Sequence, residues 1–267
     1  MPLTNPPRGV DCHAHIFSRD APAIPGARYR PAYAATLTEW RSHWPDAGIT
    51  HGVLVQPSFF GTDNREMAAA LARHPDRLRG VAVISPGTTA QEIARLHEAG
   101  VRGARWNLYG VEDYSALRDP EWSGALARIG ARGWHLEIFV SPGRLPELLP
   151  ALAGSSLPVV FDHFGNPGRG ASADDTFAAI ERLARVRPVF CKLSGPYRVE
   201  EEGAALVRRW LDVAGARAFV WGSDWPWTGH EGRVGYAALR KELDGWIGPK
   251  QVAAVLWDNA AALYGFT

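Results

Sequence analysis

Eight short apolar runs alternate with longer helical stretches along the 267 residues, and no other feature restricts the fold as strongly. The runs lie at 10–17, 52–58, 80–85, 103–108, 135–140, 159–163, 189–194 and 219–222. They are dominated by apolar side chains, as expected of parallel strands covered on both faces. Between them, Ala- and Leu-rich segments with helical spacing occupy 64–73, 90–99, 122–132, 176–186 and 204–214, and a closing helix spans 252–264. Strand–helix units repeated in this order predict an α/β fold, a parallel TIM (β/α)8 barrel, whose usual length is roughly 250 residues. No linker, low-complexity tract or charge run divides the chain, so residues 1–267 read as a single domain. An open doubly wound sheet is the competing architecture. It would usually carry a glycine-rich dinucleotide fingerprint after the first strand, where this chain has Cys12-His13-Ala14-His15.

With 29 basic and 28 acidic side chains, the formal net charge is only +1. That balance, without a basic cluster, speaks against a nucleic-acid partner or a charged membrane surface. No apolar stretch approaches the ~20 residues that cross a bilayer. The opening Met1-Pro2-Leu3-Thr4-Asn5-Pro6-Pro7 has neither the charged nor the apolar region of a signal peptide. Cys12 and Cys191, both inside apolar runs, read as reduced core thiols. A cytoplasmic location is the expectation, and nothing in the sequence fixes an oligomeric state.

Chemistry in such a barrel gathers where strands finish and βα loops begin. Side chains two apart on a strand share a face, so Asp11, His13 and His15 are expected to form one polar row. Later ends carry Gln56-Pro57-Ser58, Arg105-Trp106-Asn107, Phe161-Asp162-His163, Lys192-Leu193-Ser194 and Trp221-Gly222-Ser223-Asp224. His13, His15, His163 and Asp224 can therefore converge at the barrel mouth. Three imidazoles and a carboxylate suit a zinc ion; they equally suit a metal-free centre with a base and hydrogen-bond donors. Asp63 reads either as part of the site or as a helix cap. His43, His74 and His97 are expected to be solvated, and His51 and His135 to begin strands away from the chemistry. His230 is a candidate substrate contact, and Trp106, Trp225 and Trp227 either stack on a ring or fill the core.

The motifs Asp11-Cys12-His13-Ala14-His15-Ile16-Phe17, Phe161-Asp162-His163-Phe164-Gly165, Cys191-Lys192-Leu193-Ser194-Gly195-Pro196-Tyr197-Arg198 and Gly222-Ser223-Asp224-Trp225-Pro226-Trp227 resemble the amidohydrolase superfamily. More narrowly, they resemble its amidohydrolase-2 branch and, within that, the 2-pyrone-4,6-dicarboxylate lactonases. The resemblance implies a distorted TIM barrel that hydrolyses a lactone. It implies Asp224 as the base that activates water, with His13, His15 and His163 around the scissile carbonyl. Tyr29, Ser58, Arg105 and Arg198 match substrate-contacting positions. Asn166 stands where the lactonases have an arginine, Phe139 where they have a tyrosine, and Leu108-Tyr109-Gly110-Val111 where a further arginine is expected.

Binuclear members of the superfamily use a carbamylated lysine at the end of strand four, the place of Arg105 here. A guanidinium stays protonated and cannot carry a carbamate. The expected reaction is opening of a small acidic lactone with no cofactor required, Asp224 taking a proton from water while the three imidazoles donate to the oxyanion. Arg105 and Arg198 would hold a substrate carboxylate. Two alternatives stand beside it. One is a metal-dependent hydrolase or decarboxylase with a single divalent ion, zinc for preference, on His13, His15, His163 and Asp224. The other is a non-catalytic barrel that binds carboxylates.

Overall fold

The computed structural model describes residues 8–20 and 22–267; residues 1–7, read above for targeting signals, lie outside them. Eight parallel strands hydrogen-bond in chain order. They are β1 (Val10–Ala14), β2 (His51–Val55), β3 (Leu78–Ala82), β4 (Val101–Leu108), β5 (His135–Val140), β6 (Val159–Phe161), β7 (Val189–Leu193) and β8 (Phe219–Trp221). Among the described residues no helix is long and apolar enough to cross a membrane. The chain is a TIM barrel, as the alternation of strands and helices predicts. β1, β2 and β3 stop three residues short of the predicted ends. The residues beyond them leave the sheet to form the rim of the mouth.

Helices α1 (Leu37–Ser42) and α2 (Trp44–Ala47) precede β2. Then follow α3 (Arg65–Arg73), α4 (Ala90–Ala99), α5 (Pro120–Gly130), α6 (Leu149–Leu152), α7 (Ala171–Ala184), α8 (Gly203–Ala214) and α9 (Tyr236–Trp246). The predicted closing helix is α10 (Pro249–Ala253), a π-turn over Ala254–Asp258, and α11 (Asn259–Tyr264). The sequence pattern does not announce α1, α2, α6 or α9. The first three are shorter than periodicity can register. α9 buries only Tyr236, Leu239 and Leu243. From α11, Tyr264 packs with Val10, Cys12, Val53, Val81 and Val220. That cluster closes the barrel end opposite the mouth.

The expected polar row on β1 is broken. Register slips between Asp11 and Ala14, and a slip moves side chains to the other face. Asp11 is fully buried beneath the helices, not in the barrel mouth. Its carboxylate accepts from Trp40 Nε1 (2.7 Å), Tyr236 Oη (2.8 Å), Ser223 N (2.8 Å), Ser223 Oγ (2.6 Å) and His13 N (3.2 Å). Two backbone bonds complete the join, from Asp224 N to His13 O (2.8 Å) and from His15 N to Trp225 O (2.9 Å). The seam between the first and last strands is thus built by Asp11 and the segment Ser223–Trp225.

Gly222 makes the seam possible, because a Cβ there would meet His13 Cβ at 2.6 Å and His13 N at 2.9 Å. Gly222→Ala is expected to lower unfolding free energy by about 1–3 kcal/mol, the usual cost of overpacking, and to reduce any activity that depends on His13. Denaturant titration of both proteins checks this; coincident curves would show that the seam has slack.

Candidate active site

A cavity of about 450 Å³ opens at the carboxyl ends of the strands. Asp224, just past β8, faces it with a left-handed backbone (φ 56°), and His163 beside β6 shares that conformation (φ 49°). Non-glycine residues held there are typical of sites where packing overrides local preference. Asp224 Oδ1 lies 3.6 Å from His13 Nε2, 3.8 Å from His15 Nε2 and 4.0 Å from His163 Nε2. Its other oxygen, Oδ2, accepts from Tyr197 Oη (2.7 Å) and from Arg198 Nε. Burial raises this carboxyl, but Arg198 and the three imidazoles outweigh it and hold the group well below the usual range.

The second nitrogen of each ring shows what the first can do. His15 Nδ1 lies 2.8 Å from Val55 O. A carbonyl only accepts, so neutral His15 carries its proton on Nδ1 and presents a lone pair at Nε2. Neutral His15 therefore cannot donate to an oxyanion, contrary to the expectation for all three rings. His13 Nδ1 faces two partners, Lys192 Nζ at 3.2 Å, which can only donate, and Asp162 Oδ1 at 3.2 Å, which can only accept. With Lys192 donating, the His13 proton sits on Nε2, 3.6 Å from Asp224 Oδ1; with Asp162 accepting, Nε2 carries a lone pair. His163 Nδ1 meets Ser194 Oγ at 2.9 Å, and that hydroxyl can take either role.

Behind His13 lies a buried network of opposite charges. Lys192 pairs with Glu137 and lies 3.5 Å from Asp162 Oδ1. Arg105, only 4% exposed, donates to Asp162 Oδ2 through Nε (3.1 Å) and Nη2 (2.8 Å) and lies 3.5 Å from Glu137 Oε1. Burial, then the charge of Asp162, pushes Glu137 up to about 8. Arg105 thus lines the cavity as predicted, but much of its hydrogen-bonding capacity is spent inside the barrel. Sequence reading missed Glu137 and named Lys192 only as part of a strand-end run, though a charged residue inside an apolar strand is itself a signal.

Tyr29, Ser58 and Arg198 also line the cavity, and so do Arg28, Tyr109, Tyr197 and His230, of which only His230 stood out beforehand. Asn166 does not line it. It is buried with a left-handed backbone (φ 44°), and its Nδ2 donates to Val140 O at 2.8 Å. Trp106 packs edge-on against Trp122 at 5.4 Å, and none of the three candidate tryptophans reaches the cavity. Asp63 does not line the cavity and is not the N-cap of α3, which is Asn64; its carboxylate pairs with Arg65 through Nε (2.8 Å) and Nη2 (2.6 Å). His51 and His135 begin β2 and β5, away from the mouth. His43 is not solvated: it stacks on Tyr236 with centroids 5.0 Å apart, and His97 accepts from Trp134 Nε1 at 3.0 Å.

A single divalent ion would look to His13, His15 and Asp224, whose ligand atoms lie within 4.8 Å of one another. His15 Nε2 and Asp224 Oδ1 are free to ligate. His13 Nε2 would be free to ligate as well with its Nδ1 donating to Asp162 Oδ1, and would be protonated with Lys192 donating to Nδ1.

Burial also sets a pH dependence. It lowers His15 and His163 from 6.5 to about 4, Arg105 adding to the effect on His15 and Asp224 opposing it on His163. The unfolded chain binds these protons below pH ~6.5 while the native rings refuse them, so stability falls as pH drops from there toward ~4. Each unit of depressed pKa is worth about 1.4 kcal/mol. Because Glu137, raised by burial, acts in the opposite sense over the same range, the rings are best followed directly: the His15 and His163 imidazole resonances should stay those of neutral rings down to pH ~5, and titration of either ring near 6.5 would mean that burial does not hold it neutral.

A family model described as Amidohydrolase matches residues 10–266. A 2-pyrone-4,6-dicarboxylate hydrolase of Comamonas testosteroni is 31% identical over 242 residues, 83% of this chain and 77% of the relative. A 4-sulfomuconolactone hydrolase of Rhizobium radiobacter is 28% identical over 234 residues, 84% of this chain and 78% of the relative. Among solved structures, a probable 2-pyrone-4,6-dicarboxylic acid hydrolase of Acinetobacter baumannii with citric acid bound superposes with a TM-score of 0.88 at 36% identity, covering 97% of this chain and 99% of the other. The match over nearly the whole barrel, motifs and seam included, makes this chain a member of the amidohydrolase family.

Proposed function

We propose that this protein hydrolyses a small carboxylate-bearing lactone, with Asp224 as the base for the attacking water and no metal required. The observation that carries the reading is the convergence of Asp224 Oδ1 with three imidazole nitrogens at 3.6–4.0 Å, where Asp224, His15 and His163 line the cavity and His13 is buried behind them. Relatives that act on a pyrone dicarboxylate and on a sulfomuconolactone support the substrate class.

Oδ1 and the His15 lone pair, 3.8 Å apart, can each accept one hydrogen of the same water. A water held that way turns an oxygen lone pair toward a carbonyl seated beside it. When Ser194 donates to its Nδ1, His163, which lines the cavity, carries its proton on Nε2 and donates a hydrogen bond to the carbonyl oxygen as that oxygen gains charge; His13 stands buried beside Asp224. Such a donor is typically worth about 3–4 kcal/mol. As the water oxygen bonds to the acyl carbon, its proton passes to Asp224. Collapse of the tetrahedral intermediate breaks the ring C–O bond, and Asp224 returns the proton to the departing oxygen. Arg198 Nη1 makes no hydrogen bond among the described residues and is available to a substrate carboxylate. A carboxylate bound there shares the guanidinium charge that otherwise depresses Asp224, and so strengthens the base.

A second reading, one divalent ion on His15 and Asp224, draws on the paired lone pairs of those residues. A panel of pyrone, muconolactone and sugar-acid lactones, followed by acid release, tests the function. The expected result is turnover of at least one acidic lactone by protein of sub-stoichiometric metal content, undiminished by chelation. Loss of activity on chelation and recovery with zinc would select the second reading. Binding of these compounds without turnover of any would leave a carboxylate-binding barrel.

A further inference from the structure

The plane of the Asp224 carboxylate is held from one side only. The last bond of an aspartate side chain joins an sp3 to an sp2 carbon and has a broad, two-fold torsion preference, so its neighbours decide where the two oxygens lie. Oδ1, the oxygen assigned to the attacking water, lies 3.6, 3.8 and 4.0 Å from the three imidazole nitrogens, beyond hydrogen-bond reach of each. Among the described residues, every hydrogen bond to the carboxylate falls on Oδ2, from Tyr197 Oη at 2.7 Å and from Arg198 Nε. Both donors come from one 3-10 turn, Pro196–Arg198, closed by a bond from Arg198 N to Gly195 O at 2.9 Å. The turn lies directly against the base. Gly195 has a left-handed backbone (φ 54°), and a Cβ there would meet His163 Nδ1 at 2.8 Å and Asp224 Oδ2 at 3.3 Å.

The two donors are not equivalent. Arg198 also donates through Nη2 to Thr228 O at 3.0 Å, and its remaining Nη1 is the group offered to a substrate carboxylate. Its guanidinium is thus divided between the base, the loop after β8 and the ligand. Tyr197 has one hydroxyl proton, and that proton goes to Asp224. The ring that carries it is packed as well, with its centroid 5.2 Å from the Arg198 guanidinium carbon and 4.8 Å from the centroid of His230. A ring held in this way offers its hydroxyl from a fixed point.

We propose that Tyr197 is the positioning residue of the base: its hydroxyl fixes the carboxylate plane of Asp224, so that Oδ1 stays turned toward the imidazoles and the water while Arg198 engages the substrate. The inference rests on the lactone reading for the reaction and adds what aims its base. Tyr197 neither gives nor takes a proton in the reaction. Without the hydroxyl the carboxylate can turn about its last bond, and a misplacement of about 1 Å at a reacting atom can slow a reaction roughly a hundredfold.

Two arms test it. Tyr197→Phe removes the hydroxyl and keeps the ring, and Tyr197→Leu removes both. On the lactone that the native enzyme opens, kcat of Tyr197→Phe should fall about tenfold or more while KM stays within about twofold of native. Tyr197→Leu should add little to that loss. Native kcat in Tyr197→Phe would overturn the proposal, and a loss confined to Tyr197→Leu would leave the ring as packing alone. A rise in KM with kcat unchanged would also overturn it, by making Tyr197 a substrate contact. The second arm reads the aim itself, from crystal structures of the native protein and Tyr197→Phe. In the variant the Asp224 carboxylate should leave its native plane or take up a second orientation; a single carboxylate in the native plane would contradict the proposal. Should the native enzyme open no lactone, the lactone reading fails, while the two structures still decide the role of Tyr197.

Discussion

Closure of the barrel between its first and last strands is the constraint on which the site depends. His13 and His15 enter from one side of that seam and Asp224 from the other. Their separation of less than 4 Å exists because Asp11 gathers both edges. A buried carboxylate with five donors around it is strongly directional, since every bond lost would strand a buried polar group. The backbone bonds from Asp224 to His13 and from His15 to Trp225 then fix the register, and Gly222 supplies the room. Residues more than two hundred positions apart are thereby held as rigidly as neighbours on one strand.

The electrostatics of the site follow from what lies beneath it. Lys192, Glu137, Asp162 and Arg105 are two cations and two carboxyl groups enclosed by the barrel, with little water to screen them. Removing one partner of such a buried set typically costs about 3–5 kcal/mol, so the network is a firm support for whatever it touches. It touches His13, whose Nδ1 faces both Lys192 Nζ and Asp162 Oδ1 at 3.2 Å. His15 is set by the Val55 carbonyl, which leaves the lone pair of its Nε2 facing Asp224, the arrangement that suits an attacking water.

Much of this was legible in the sequence, and the remainder was hidden for physical reasons. The alternation of strands and helices gave the barrel, and the strand-end motifs carried His13, His15, His163 and Asp224. Asp11 was assigned to the wrong face because a register slip on β1 leaves no mark in residue type. Asn166 looks like a site residue from its place after His163, but a left-handed backbone turns it to the Val140 carbonyl. The tautomers of His13 and His15 depend on partners from β7 and from the end of β2, which only the closed fold brings near. Arg28 sits in a loop rich in proline, alanine and glycine, with no periodicity to single it out.

Asp224 is where the seam, the imidazoles and the chemistry meet, and Asp224→Asn tests the whole account. The amide oxygen can replace Oδ2 toward Tyr197 and Arg198, so the fold and the cavity should persist while the base is lost. The measurement is kcat on the lactone that the native enzyme opens, alongside thermal unfolding of both proteins. A base of this kind contributes about 10²–10⁴ in rate, so kcat should fall by that factor with substrate affinity and melting temperature little changed. Turnover within a few-fold of the native enzyme would contradict the account.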